Sequence, residues 1–125
     1  SSSLSLYLHG RILYERYNKE AKVEYLDQAV ISFSEALEHA GPDFNYYAET
    51  YRSLANLYNE KQDYQKAAFY LKLEAQYSLV SNNGAEEVGK LLQMAQETLK
   101  KAPPGAERDR EEAAILELLD HLGGK

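Results

Sequence analysis

Two stretches of this chain echo one another 38 residues apart, and that repetition limits what the chain can fold into more than any other feature. Tyr25-Leu26-Asp27-Gln28-Ala29 and Asp63-Tyr64-Gln65-Lys66-Ala67 each open an apolar pattern with helical spacing. Four residues after its alanine, each continues with a large apolar side chain, Phe33 or Leu71. Self-similarity with a period of about 20–50 residues marks chains built from stacked units, each burying its apolar face against a neighbour. An ordinary bundle has no reason to repeat itself in this way.

Glycine and proline punctuation shows where the units break. Ala40-Gly41-Pro42-Asp43, Ser81-Asn82-Asn83-Gly84, Ala102-Pro103-Pro104-Gly105 and the terminal Gly123-Gly124 divide the chain. Between them, apolar residues recur at steps of three and four, as on one face of a helix. Leu6, Leu8, Ile12, Leu13 and Tyr17 mark a first helix from about residue 4. Asn18-Lys19-Glu20-Ala21-Lys22 has no apolar face and is expected to hold a turn. A second helix follows from about Glu24, carried by Leu26, Ala29, Val30, Phe33, Ala36 and Leu37. The third spans about 44–60, with Asp43 or Asn45 as its expected N-cap, because a short side-chain oxygen there accepts from the free amides of the first turn. Its stripe is Tyr47, Tyr51, Leu54, Ala55 and Tyr58. Lys61-Gln62-Asp63 connects it to a fourth helix from about Tyr64 with Ala67, Ala68, Leu71, Ala75 and Leu79, ended by Asn82-Asn83-Gly84. Fifth and sixth helices are expected over about 85–101 and 107–122.

The second unit resembles the tetratricopeptide repeat (TPR). Tyr51, Leu54, Ala55 and Tyr58 match that family's first-helix pattern, and Gln62-Asp63-Tyr64 followed by Ala67 matches its turn and small-residue position. Tyr51-Arg52-Ser53-Leu54-Ala55-Asn56-Leu57-Tyr58 looks like the longer-period variety of kinesin light chain-like scaffolds. The first unit fits in its second helix only, with Gly41-Pro42 near the family's terminal proline. Its first helix lacks the signature and its inner turn should be longer. Glu74 stands where a small residue is usual, and Leu79 stands in place of the proline. The expectation is an all-α fold, a right-handed stack of three antiparallel helix pairs forming one TPR-like α-solenoid over residues 1–125. Residues 1–3 read as an expression remnant or the start of an excised fragment, 4–41 as a divergent repeat, 44–81 as the clear repeat and 85–122 as a capping helix pair.

The resemblance implies a non-enzymatic adaptor or scaffold, whose first helices line a concave surface that holds a peptide segment of a partner protein. On the second unit the face opposite the packing stripe is Glu49, Arg52, Asn56 and Asn59, at steps of three and four. Arginine offers a forked donor set and asparagine a paired donor and acceptor, which suits a peptide backbone or a carboxylate. Arg52 and Asn56 fall where chaperone-binding members carry a Lys and an Asn of their carboxylate clamp, and Lys90 is the one candidate to extend it. The alternative is a structural helical domain used for self-association or packing within a larger protein. The last helix reads either as a cap or as a ligand that detaches and docks in a groove.

Composition closes other routes. The chain has no cysteine, so disulfide frameworks and thiolate chemistry are excluded, in keeping with an expected cytoplasmic setting. With 14 basic and 20 acidic residues, its net charge of −6 gives no general attraction to nucleic acid. No apolar run reaches the length of a membrane span, so direct membrane insertion is not expected. His9, His39 and His121 have no metal-ligand spacing. Glu86-Glu87 and Glu111-Glu112 suit the positive ends of helices rather than acid–base work. No cofactor, metal or catalytic residue is expected. Of eleven tyrosines, Tyr46, Tyr47 and Tyr70 do not all fit a buried stripe.

Overall fold

The computed structural model describes residues 2–81 and 84–123. It is all-helical: α1 (Ser3–Glu20), α2 (Val23–His39), α3 (Tyr47–Glu60), α4 (Tyr64–Val80), α5 (Ala85–Leu99) and α6 (Ala106–Gly123), with no strand among the described residues. Of the stop proposed for α4, Asn82 and Asn83 lie outside the described residues, as does Gly124.

Local chemistry sets the helix ends. Ser2 caps α1, its hydroxyl accepting from the Ser5 amide at 3.1 Å. The polar stretch holds the turn as expected, but only in its last two residues: α1 runs on through Asn18-Lys19-Glu20, and Ala21 closes it in the left-handed region (φ 56°), its amide donating to the Tyr17 carbonyl at 2.7 Å. The inner turn of the first unit is therefore Ala21-Lys22, shorter than the Lys61-Gln62-Asp63 turn of the second, not longer.

Helix α3 starts three residues later than its pattern suggested, and neither Asp43 nor Asn45 caps it. Aromatic packing fixes the chain's entry instead. Tyr46 stacks on Tyr7 with ring centres 4.7 Å apart, Phe44 meets Tyr47 edge-on at 5.2 Å, and the Tyr47 hydroxyl donates to the Gly41 carbonyl. At α4 the expected boundary holds: Asp63 caps it, accepting from the Lys66 amide at 3.2 Å. Helix α5 ends at Leu99, short of Lys101, and the chain turns inward so that Ala102 is buried.

The core has two parts meeting at α3. Tyr7, Leu13, Leu26, Ala29, Val30, Phe33 and Ala36 join Leu54 and Leu57 in one. Ala55 joins Ala68, Leu71, Ala75, Val88, Leu91, Leu92, Ala95, Leu99, Ala102 and Ile115 in the other. Tyr70 packs against both. The most extensive helix contacts are α1 on α2, α4 on α5 and α3 on α4. Gly10 allows the first of these: a Cβ there would lie 2.9 Å from the fully buried Phe33 ring. Helix α6 sits at the periphery, where only Ile115 is fully buried. The Lys72–Glu111 ion pair, both side chains 12% exposed, and the Arg108 guanidinium donating to the Ala102 carbonyl hold it down.

Candidate functional site

An open groove of about 480 Å³ lies between α1 and α3 and reaches α4, lined by Tyr7, Arg11, Glu49, Arg52, Ser53 and Glu74. Helical spacing brings the two walls together. Tyr7, Arg11 and Tyr14 lie at steps of four and three on α1, as Glu49, Arg52 and Asn56 do at steps of three and four on α3. The larger concavity, about 620 Å³ over Lys90, Gln93, Met94, Gln96, Glu97 and Thr98, is lined by the outward face of α5 alone. A surface bounded by a single helix has no second wall to enclose a ligand, so the α1–α3 groove is the better candidate.

The four sequence-derived residues divide unevenly. Glu49 is exposed on the groove wall. Arg52 lines it too, but its guanidinium is engaged: Nε lies 2.7 Å from Glu74 Oε1. Glu74, expected from the sequence resemblance to stand at a position usually held by a small residue, holds this arginine. Burial raises its pKa above the ordinary carboxylate value. Arg52 opposes that shift, while Glu49 and Glu87 reinforce it. Asn56 is exposed one turn further along, where its side chain lies near the Tyr14 phenol and partly offsets the upward pull of burial on it. Asn59 is exposed and lies outside the groove lining. Lys90 sits on the separate α5 surface, 3.9 Å from Glu86, so it does not extend a clamp from Arg52.

Sequence reasoning missed Tyr7 and Arg11. Burial raises the Tyr7 pKa, and the nearby positive charge of Arg11 pulls it down. Arg11 is exposed and forms no ion pair among the described residues, which makes it the available guanidinium of the groove. The signal was the Tyr7–Arg11–Tyr14 spacing, hidden because α1 carries apolar residues on two faces. The doubtful tyrosines are also placed: Tyr46 is 36% exposed, while Tyr47 and Tyr70 are half-buried within a run of ring contacts that also includes Tyr51, Tyr58 and Tyr77.

Among the described residues no group of three His, Asp or Glu side chains converges to hold a metal ion, and no helix is long and apolar enough to cross a membrane. Comparison with known proteins returned no matching family model, no similar curated protein and no similar solved structure.

Proposed function

We propose that the protein is a non-enzymatic adaptor, a TPR-like stack of helix pairs that holds a peptide segment of a partner in the α1–α3 groove. The observation that carries this reading is the groove itself: two helix walls, with the Arg11 guanidinium on one and the Glu49 carboxylate on the other, neither in an ion pair among the described residues, beside the buried Tyr7. A peptide backbone offers carbonyls to the first and amides to the second. Arg52, already charge-compensated, shapes the floor and donates through its remaining N–H groups.

Individual contacts support the stacked arrangement. Tyr47, at the start of α3, packs on Tyr77 near the end of α4, while Lys66 at the start of α4 lies over Tyr58 near the end of α3; this pair runs antiparallel. Tyr7 meets Tyr46 before α3, and Tyr17 donates to Glu60 at its end, so α1 and α3 run the same way. Lys101, just beyond α5, lies over Tyr64 at the start of α4. These directions are those expected of a helical-repeat scaffold, whose first helices present the binding surface.

Peptides selected from a random library against the intact protein provide the test, with affinities read by fluorescence anisotropy. Arg11→Ala and Glu49→Ala should each weaken the selected peptides about 10-fold while leaving helix content unchanged, as for contacts at the centre of an interface. Unaltered affinity in the double variant, or amide-shift changes confined to α5 and α6, would overturn the reading.

A further inference from the structure

The first and last helices each turn a second, unpartnered face to solvent. On α1, Leu4, Leu8 and Ile12 lie in one line at steps of four and are 47%, 47% and 56% exposed. The same line continues through Arg16 and Lys19, both exposed and neither in an ion pair among the described residues. On α6, Asp109, Glu112, Leu116 and Asp120 recur at steps of three, four and four; Leu116 is 48% exposed and the three acids are exposed and without ion pairs among the described residues. One line is apolar with a basic end. The other is acidic around an apolar centre.

We propose that the protein associates head to tail with a second copy of itself, the outer line of α1 in one molecule docking antiparallel on the outer line of α6 in the next. The register supports this. Going backwards along α1, Lys19, Arg16 and Ile12 are spaced by three and four; going forwards along α6, Asp109, Glu112 and Leu116 are spaced by three and four. Antiparallel docking therefore sets Lys19 against Asp109, Arg16 against Glu112 and Ile12 against Leu116 together, with Leu8 beside Asp120 at the far end. Parallel docking through the same Ile12–Leu116 contact puts Asp109 and Glu112 beside Leu4 and Leu8, matches Arg16 with Asp120 only and leaves Lys19 unmatched. A symmetric α1–α1 contact through Leu8 pairs Leu4 with Ile12 but leaves Arg16 and Lys19 facing nothing. The acidic face of α6 thus selects the occupant, and because the two docking surfaces differ, the contact does not close and extends to short chains. The assembly does not depend on the groove, and a failure of peptide binding leaves it intact.

One helix-on-helix contact lies at the low end of interface size, so dissociation constants of about 10 μM to 1 mM are expected. Sedimentation velocity across that range tests it. At low salt the average mass should rise with concentration, and raising salt from about 50 to 500 mM should weaken association about 10-fold as the exposed pairs are screened. Arg16→Glu with Lys19→Glu, and separately Asp109→Lys with Glu112→Lys, should each leave a folded monomer, and mixing the two variants should restore association. All four positions are exposed, and circular dichroism confirms folding; Leu116→Lys probes the same contact should a charge variant lose helicity. A wild-type protein monomeric throughout, a mixture that stays monomeric, or association abolished by Leu8→Glu but untouched by the α6 variants (the symmetric contact) would each overturn the proposal.

Discussion

The hairpin of α1 and α2 and the hairpin of α3 and α4 solve one packing problem with different side chains. Ala29 and Ala67 are buried at corresponding points of the second helices, followed four residues later by Phe33 and Leu71. The small partner on the first helix is Ala55 in one and Gly10 in the other. Twelve residues separate Ala55 from Ala67, but nineteen separate Gly10 from Ala29. The seven extra residues are about two helical turns, which lengthen each helix by about one turn and return the same faces to contact. A hairpin can thus grow by a heptad without losing its packing. The large–small pairs exchange volume as well: Phe against Gly in the first, Leu against Ala in the second.

That exchange is open to direct attack. Gly10→Val drives two methyl groups toward the Phe33 ring, already 2.9 Å from where a Cβ would sit, and should cost about 2–3 kcal/mol in chemical denaturation. Gly10→Ala should cost about 1 kcal/mol, since the clash outweighs the gain in helix propensity. Combined with Phe33→Leu, which converts the first pair into the second, Gly10→Ala should instead stabilise by about 1 kcal/mol. A double-mutant cycle without coupling would mean that the ring moves aside freely and that the two hairpins are not equivalent.

This equivalence also explains how far the sequence could be read. The six helices, their apolar stripes and the break before Tyr64 followed from periodicity and punctuation, because these are local properties. The heptad insertion did not, because aligning Gly10 with Ala55 requires knowing that α1 continues through Asn18-Lys19-Glu20, a stretch with no apolar face to announce it. The start of α3 was obscured because aromatic packing by Phe44 and Tyr46 took over the role of a polar cap. Glu49 and Arg52 were legible as a shared helix face. Their opposing wall was not: Arg11 and Tyr7 are some forty residues away, and Glu74, 22 residues from Arg52, could be read only as a departure from pattern.

Glu74 gives the second way to sharpen the comparison, since the first hairpin has fully buried Ala36 at the corresponding point. A carboxyl whose pKa is raised on folding binds its proton more tightly in the folded state. Its favourable contribution is greatest at low pH and is lost as pH rises through the folded pKa. At neutral pH the buried carboxylate is therefore a burden that Arg52 only partly offsets. Glu74→Ala should stabilise the protein by up to about 1 kcal/mol at pH 7, and its advantage over wild type should shrink on acidification. An advantage that grows as the pH falls would show that the ion pair outweighs the burial.

The smallest expected effect lies in the turns, and there the two hairpins agree. Each closes on a non-glycine residue in the left-handed region, Ala21 at φ 56° and Gln62 at φ 62°. A Cβ in that conformation meets the neighbouring carbonyl at a cost of about 1 kcal/mol, which glycine avoids, though glycine also gives the unfolded chain more freedom to lose. The balance favours glycine by about 0.5 kcal/mol at each site, because positions that end a helix this way are where it is most at home. Ala21→Gly and Gln62→Gly should each raise the melting temperature by about 2 °C for a chain of this size, and the gains should add because the turns share no partner. A gain at one turn and a loss at the other would separate the hairpins: the losing side chain would then be making a contact worth more than its strain, and Gln62, beside the Lys61–Asp27 bridge that joins the second hairpin to the first, is where that outcome is to be watched for.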